Sequence, residues 1–501
     1  MGQEKSSALR HSAVYLLARG LPGIVAFLAI PTFSRLLDPA GYGNYALVSA
    51  SVGLLNALVF QWLRLALVRY LPAYKDNSDT LKSTLLTVQY LLIALLGAAA
   101  AVICAIPAAR DLRAVVVCCW VLLAIQAPFE MFCEHARARI RPLQFMSMQL
   151  VRAFISLALG AGLIVAGFGW WGPLIGVGVG MLLPVAYAFG RDWRGLRLSI
   201  DRRALATICQ YGLPLSLTVG LTIVISTSDR FLIAGMLGRD AAGLYSVAVD
   251  FTSQTIWLLM TVISLAVFPL AVRAWEEQGR KAAQDQMRHN AALLLLVGLP
   301  AVVGMAILAP GIADCFLGKS FRHAASHVLP LVAVGTFLAG FKACHFDAAF
   351  QFVNRTIIQV WIVLVAAVVN VALNLVMIRR FGINGSAVAS VLAYVLSIVL
   401  TAVVGRRYLA LPVPVRPLLQ TLAAAGTMGL ALYPLRHRLG PVALATQIAA
   451  GAAVYGAALF ALDFLGVRTA FWSRGSILPP ATLEPADTVV EPSQQLQPSV
   501  V

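Results

Sequence analysis

The chain has 501 residues, of which 60% are hydrophobic and only 12% are charged. A water-soluble domain cannot bury that share of apolar side chains, so the composition excludes a soluble fold and indicates a protein embedded in lipid. The net charge of +17 would indicate nucleic-acid binding in a soluble protein. In a membrane protein Lys and Arg collect in cytoplasmic loops instead, so no nucleic-acid partner is expected. The seven cysteines follow neither a disulfide nor a metal pattern, and no cofactor or metal is expected.

Apolar stretches of about 20 residues recur along the chain with short polar breaks, and they predict membrane-spanning helices. We expect about fourteen spans, or roughly twelve to thirteen if one segment of the last pair is interfacial. They begin near residues 13, 44, 83, 113, 144, 171, 206, 242, 291, 326, 356, 383, 417 and 442. Every loop is short, the longest having about 15 residues near 276–290. No extramembrane domain is therefore expected.

The loops differ in charge between the two sides of the membrane. The side that carries the N-terminus has about 24 Lys and Arg by our count, against about 10 on the other side. This asymmetry predicts a cytoplasmic N-terminus, although Arg379/Arg380 and Arg436/Arg438 run against it. The apolar run after the basic start is too long for a signal peptide, so the first span is expected to be retained.

Short motifs of the first half of the chain recur about 200 residues later. Leu37–Val48 returns as Leu237–Ala248, and Phe168–Gly172 returns as Phe381–Gly385. About six predicted spans separate the copies, and an even number gives both halves the same orientation in the membrane. The halves are therefore expected to be related by an approximate twofold axis along the membrane normal, with a central cavity between them.

The expected fold is an all-α, polytopic integral membrane protein. Residues 1–204 are predicted to form an N-terminal six-helix lobe and residues 205–410 a C-terminal six-helix lobe. Residues 411–466 are predicted to add two transmembrane helices, and residues 467–501 to form a disordered cytoplasmic tail because they are rich in Pro, Ser, Gln and acidic side chains.

An ionisable side chain near the bilayer centre costs about 2.5–3.5 kcal/mol on insertion scales, so each requires a partner, water or a function. Arg152 is expected roughly 13 Å into its span, on one helix face with Gln149 and Ser156. This stripe indicates either a watery cavity, which we favour, or hydrogen bonds between helices. The corresponding stripe of the other half is uncharged and consists of Gln359, Asn370 and Asn374.

A second cluster lies in the tenth span, where Lys342 and His345 are three residues apart and Asp347 follows. One interpretation is a cationic anchor for substrate in the cavity, beside a titratable pair that couples transport to protons. The alternative is that the histidine is a packed core residue.

Further charged side chains are expected at membrane depth. Arg230 and Asp250 lie roughly 10–12 Å from the outer surface on neighbouring helices and can pair. A structural salt bridge is the first interpretation, and an outer gate that includes Asp229 is the alternative. Arg19 lies about 10 Å from the inner face, and Arg19 and Arg64 each either snorkel or face the cavity, the cavity being the less favoured interpretation for Arg64.

Several motifs resemble the Wzx-type polysaccharide flippases. Arg35–Pro39 followed by Gly41–Tyr45 looks like the signature of their first two spans. Asp229–Ile233 followed by Ala242–Tyr245 looks like the signature of their seventh and eighth spans, and Gly382–Ala389 resembles the start of their twelfth. The resemblance covers most of the chain before residue 411. It implies membership of the multidrug/oligosaccharidyl-lipid/polysaccharide exporter superfamily.

The resemblance implies a transporter and not an enzyme. It implies a multi-pass flippase of the bacterial cytoplasmic (inner) membrane. Such a flippase moves an undecaprenyl-diphosphate-linked oligosaccharide from the inner to the outer leaflet by alternating access, for O-antigen or another exported polysaccharide. A polysaccharide polymerase and a chain-length regulator are further expected partners. Positive charge at Arg152, Lys342 and Arg19 fits a diphosphate, and the amide side chains fit sugars.

Two alternative functions remain open at this point. A drug or organic-cation antiporter of the same superfamily would favour carboxylates and aromatic side chains in its cavity. A membrane-embedded polysaccharide polymerase would need a sizeable extramembrane loop. The driving force is also open, since the membrane potential favours export of an anion and protons can couple through His345, Asp347 or Asp250.

Overall fold

The computed structural model describes residues 21–72, 78–353, 355–411, 413–466 and 468. Within these ranges the structure is helical and has no strand. The helices are α1 (Leu21–Leu36), α2 (Pro39–Tyr70), α3 (Ser78–Ala105), α4 (Arg113–Ala138), α5 (Pro142–Leu163), α6 (Trp171–Ala188), α7 (Arg202–Leu237), α8 (Arg239–Thr252), α9 (Leu258–Gln278), α10 (Arg280–Ile307), α11 (Ala309–Phe316), α12 (Lys319–Phe341), α13 (Ala348–Phe352), α14 (Thr356–Gly405), α15 (Val415–Leu432) and α16 (Pro441–Ala461). Short π-helical segments follow α5, α6, α8 and α12 at Ile164–Phe168, Phe189–Trp193, Ser253–Trp257 and Lys342–Phe346.

Twelve helices in the described part of the chain are long and apolar enough to cross a membrane. The longest, α14, has 50 residues and is interrupted at Gly382, whose φ of 61° and ψ of −141° are not helical. If α14 is divided into two helices at this glycine and the shorter α1 is added, the number of apolar segments rises from twelve to fourteen. This number agrees with the hydropathy pattern.

The second sequence repeat has a structural counterpart. Gly169 has φ 53° and ψ −136°, nearly the same backbone conformation as Gly382 in the matching motif of the second half. Side chains with a Cβ rarely adopt this conformation, so both copies require glycine at the turn between two spans. The repeat therefore specifies the same helix–turn–helix geometry twice.

Each half of the chain has its own apolar core. We call α1–α6 the first half and α7–α14 the second half. One core is built from buried side chains between residues 48 and 208. The other is built mainly from residues 233–455, and it also takes in Ile30 and Phe33 of α1, Leu37, and Tyr42 and Ala46 of α2. The first two helices therefore pack against the opposite half and join the two halves.

Glycines let α6 approach α5 closely enough for backbone contact. A Cβ on Gly176 would come within 2.7 Å of the Ser156 carbonyl oxygen, and a Cβ on Gly180 within 2.7 Å of that of Arg152. Small residues at one-turn spacing commonly mediate such packing in membranes. Here they fix the α5 segment that carries Arg152.

The last two helices lie against the second half, beside α10. The Tyr455 hydroxyl of α16 donates to the Leu296 carbonyl oxygen of α10 at 2.8 Å. α15 packs between α10 and α16. Neither helix lines the cavity described below. The polar tail expected at 467–501 lies outside the described residues except for Arg468.

Candidate functional site

A cavity of about 700 Å³ lies between the two halves of the described chain. Helices α1, α2, α4, α5 and α6 form its wall on one side, and α7, α8, the π-helical segment Ser253–Trp257 and α9 form the other. The charged side chains that line it are Arg64, Glu130, Glu134, Arg152, Arg230 and Asp250. The central cavity expected from the repeat is therefore present, but it contains carboxylates as well as arginines.

Arg64 is a cavity residue, which was the less favoured of its two interpretations. The residue is 5% exposed, and its side chain forms an ion pair with Glu130 of α4. Asn56 bridges the pair: its Oδ1 accepts from Arg64 Nη1 at 3.1 Å and its Nδ2 donates to Glu130 Oε2 at 2.8 Å. Glu130 and Glu134 were missed as site residues, although two carboxylates one helical turn apart inside an apolar span are a usable signal.

Arg230 and Asp250 form the ion pair that the sequence suggested. Arg230 Nη2 lies 2.6 Å from Asp250 Oδ1. The other carboxylate oxygen accepts a hydrogen bond at 2.8 Å from the Tyr42 hydroxyl of α2. Because Tyr42 belongs to the first half and the ion pair to the second, this contact joins the halves at one end of the cavity.

The first sequence repeat lies at the same end, just beyond this contact. A Cβ on Gly43 would clash with the Arg239 carbonyl oxygen, and a Cβ on Gly243 would clash with that of Pro39. The two matching glycines thus bring the starts of α2 and α8 into backbone contact. We call Gly43, Gly243 and the Tyr42–Asp250–Arg230 contact the lobe seal.

Arg152 lines the cavity without a carboxylate partner. Among the described residues, no Asp or Glu oxygen lies within the 4.0 Å ion-pair distance of its guanidinium. Its guanidinium carbon lies 5.3 Å from the centre of the Phe129 ring. Gln149 and Ser156 of the predicted stripe line the same wall. The two other cavity arginines are paired, so Arg152 is the group most available to an anionic ligand.

The amides of the second half do not line the cavity, contrary to the predicted stripe. Asn370 and Asn374 are fully buried in a network around Asp229 of α7. The Asp229 carboxylate accepts from Asn374 Nδ2 at 2.9 Å, from the Tyr245 hydroxyl at 2.8 Å and from Ser390 Oγ at 2.5 Å. This network connects α7, α8 and both parts of α14 inside the second half.

Lys342 also lies away from the cavity, so the prediction of a cavity cation is wrong there. Its Nζ donates to both carboxylate oxygens of Asp347, at 2.7 and 2.9 Å. Gln359 and His345 are both buried and do not line the cavity, and the His345 ring centre lies 5.5 Å from that of Phe341. Arg19, the third predicted cation, lies outside the described residues.

The π-helical turn explains why this pair was not predicted. The Asp347 amide donates to the Lys342 carbonyl oxygen at 3.0 Å, a bond between residues five apart. In an α-helix, positions five apart point in different directions, whereas a π-helical turn stacks them. Spacing rules for α-helices therefore cannot pair these two residues.

Comparison with known proteins identifies the family. Residues 32–326 match the profile of the family described as polysaccharide biosynthesis protein, which is more than half of the chain. The chain belongs to this family. The Wzx-type resemblance inferred from the motifs is thereby confirmed, as is the fold class of a polytopic all-α membrane protein.

Relatives of this chain include proteins that are named as glycan transporters. The probable low-salt glycan biosynthesis flippase Agl15 of Haloferax volcanii is 26% identical over 178 residues, which are 35% of this chain and 37% of that protein. A putative O-antigen transporter of Shigella flexneri is 20% identical over 400 residues, 76% of this chain and 94% of that protein. The chain spans under two fifths of the length of Agl15 and about two fifths of a membrane protein of Methanocaldococcus jannaschii.

Solved structures show the same fold. The lipid II flippase MurJ in an inward closed conformation has a TM-score of 0.72 and 14% identity, with 90% of this chain and 99% of that chain covered. An inward-facing multidrug resistance MATE family transporter of the MOP superfamily has a TM-score of 0.58 and 16% identity, over 79% of this chain and 97% of that chain. The chain therefore shares the fold of these two solved structures.

Proposed function

We propose that this protein flips an undecaprenyl-diphosphate-linked oligosaccharide from the inner to the outer leaflet of the bacterial cytoplasmic membrane. The observation that carries the proposal is Arg152, a cavity arginine with no carboxylate partner among the described residues. An arginine can contact two phosphate oxygens at once, and it keeps its charge at every physiological pH. The lipid chain stays in the bilayer while the headgroup crosses through the cavity.

The charges of the cavity favour an anion over an organic cation. Glu130 and Asp250 are neutralised by Arg64 and Arg230, and Glu134 pairs with Arg137 at 3.0 Å. An exporter of organic cations requires a carboxylate that is free to meet its substrate. Among the charged side chains of the described cavity, Arg152 is the one without an ion-pair partner, and its charge is positive. We therefore favour the flippase over the antiporter.

The lobe seal indicates which end of the cavity is closed. With a cytoplasmic N-terminus, as the charge of the loops predicts, the turn between α1 and α2 faces the outside of the cell. The contact between Gly43 and Gly243 then closes the outer end of the cavity, and substrate enters from the inner side. Alternating access requires this contact to open.

The seal can be tested with Gly243→Ala. The added Cβ clashes with the Pro39 carbonyl oxygen, so it should separate α2 from α8 and populate the outward-open state. We expect Ser49→Cys, a cavity position, to react several-fold more with an impermeant maleimide added outside the cell. The labelling is measured in a variant whose seven native cysteines are replaced.

Gly426→Ala serves as the matched control, because no atom lies within 4 Å of a Cβ at that glycine. It should leave the labelling of Ser49→Cys at the level of the parent protein. Equal labelling of the Gly243→Ala variant and the parent would contradict the assignment of this contact as the outer gate.

The function itself is tested by the leaflet in which the native lipid-linked repeat unit accumulates. In cells that lack the protein, the unit should remain inaccessible to periodate added outside spheroplasts, and expression of the protein should restore its oxidation. Uptake of ethidium should be the same in both strains. Unchanged periodate access together with altered ethidium accumulation would support the drug antiporter instead.

A further inference from the structure

The wall of the cavity formed by the second half carries an exposed indole ring. Trp257, the last residue of the π-helical segment Ser253–Trp257, lines the cavity and is 38% exposed. Its neighbour Ile256 is buried in the core at 1% exposure, so the segment itself is firmly packed. No described residue forms a hydrogen bond with the indole N–H. Within the described part of the chain, the ring therefore presents both an uncovered aromatic face and an unpaired donor to the cavity.

Trp257 faces the cavity and not the lipid. Leu259, two residues further on, is 46% exposed and does not line the cavity. Residues two apart in a helix point to nearly opposite sides, so the lipid-facing side of α9 is the side of Leu259. An anchoring role of Trp257 at the lipid headgroups does not account for its place in the cavity.

Polar side chains flank the indole along the cavity wall. Gln254 precedes it by three residues and Thr261 follows it by four, and both line the cavity. The Thr261 hydroxyl donates to the Trp257 carbonyl oxygen at 2.8 Å and keeps its oxygen lone pairs as acceptors. The Gln254 amide bonds to no described residue, so it offers both a donor and an acceptor.

We propose that Trp257 and Gln254 form a carbohydrate subsite that holds the sugars next to the diphosphate. This inference rests on the proposed function and deepens it. A pyranose ring has an apolar face of C–H groups, which stacks on the electron-rich face of an indole, and a rim of hydroxyls, which an amide can both donate to and accept from. A diphosphate has neither feature and is instead held by Arg152 on the opposite wall.

The two recognition elements lie on different halves of the protein. Arg152 belongs to α5 of the first half, whereas Trp257 belongs to the segment before α9 of the second half. A headgroup that carries both a diphosphate and a sugar therefore contacts both halves at once. A lipid diphosphate without sugar contacts only the first half. The protein can therefore distinguish a glycosylated lipid carrier from an unglycosylated one before the two halves move.

A photo-crosslinking experiment tests the assignment with the native substrate. A benzophenone-bearing amino acid is placed at position 257 in one variant and at position 153, beside Arg152 in the cavity wall, in another. Cells with an active polysaccharide pathway are irradiated, and mild acid then cleaves the bonds of the diphosphate and separates glycan from lipid. We expect the adduct at position 257 to keep the mass of the glycan after acid treatment.

The outcomes separate this inference from the proposed function. Polyprenyl-diphosphate adducts at position 153 together with adducts at position 257 that lose all carbohydrate would overturn the subsite and leave the flippase assignment standing. The absence of lipid-linked glycan at both positions would overturn both. Glycan at position 257 supports both.

Substitution of the indole gives a second test. Trp257→Phe keeps an aromatic face and should retain surface polysaccharide, whereas Trp257→Leu should lower it about fivefold at unchanged protein level in the membrane. Output that does not fall in Trp257→Leu, or that falls equally in both variants, contradicts a stacking role.

Discussion

Arg152→Ala should reduce surface polysaccharide by at least about a hundredfold while the protein remains in the membrane. A hydrogen bond to a charged group contributes about 1.5–3 kcal/mol, and loss of two such bonds to a diphosphate lowers binding by two or more powers of ten. Folding should be unaffected. Among the described residues Arg152 has no carboxylate partner, so its removal leaves no buried carboxylate without its ion pair. Polysaccharide is measured by immunoblot of cell extracts and the protein by blot of the membrane fraction.

Two further arginine variants sharpen this prediction. Arg152→Lys keeps the charge but not the bidentate geometry and should give an intermediate output. Arg113→Ala removes an exposed arginine at the start of α4 and should change nothing. Full output from Arg152→Ala, or equal loss in Arg113→Ala, would be incompatible with a diphosphate site at Arg152.

The sequence was sufficient to predict the all-α, membrane-spanning fold of the protein. Hydropathy predicted about fourteen spans, and the described chain has twelve helices long and apolar enough to cross a membrane, or fourteen apolar segments when α14 is divided and α1 is added. The two repeated motifs marked the most constrained turns. Gly169 and Gly382 share a backbone conformation, and Gly43 and Gly243 meet at the lobe seal. The turn glycines follow from a local rule, because a positive φ favours glycine wherever it occurs. The contact between Gly43 and Gly243 joins residues far apart in the chain, so the repeat marked both glycines but not their contact.

Which polar side chains face the cavity could be predicted only in part. Arg152 and Gln149 do so because their face is set by the α-helical period of a regular span, and α6 fixes the position of α5 through Gly176 and Gly180. Arg64 was misjudged because its partner Glu130 is far away in the chain, and no local pattern reports that contact.

The prediction that the uncharged stripe of the second half lines the cavity was wrong for a different reason. The spacing of Asn370 and Asn374 correctly places them on one face of α14, but a shared face does not reveal what the face contacts. It contacts Asp229, whose carboxylate needs donors when it is buried. A polar stripe near a buried acid is thus as consistent with an internal network as with a cavity, and only the packing of α7 against α14 decides between them.

Lys342→Ala is the second prediction with a large expected effect, and here the effect should be on folding. Lys342 and Asp347 are 7% and 6% exposed, and removal of one partner leaves an uncompensated buried charge. Such a loss costs about 3–5 kcal/mol, a large share of the stability of a typical domain. We expect a lower melting temperature in detergent, much less protein in the membrane and, as a consequence, little surface polysaccharide.

A double variant separates stability from transport at this pair. Lys342→Met combined with Asp347→Leu removes both charges and keeps similar volume, and buried ion pairs replaced in this way are often neutral or stabilised. The double variant should regain the melting temperature and the membrane level of the parent protein. If it also regains polysaccharide output, the pair serves the fold alone. If protein level returns and output does not, Lys342 or Asp347 takes part in the transport cycle away from the cavity, for instance by carrying the coupling proton.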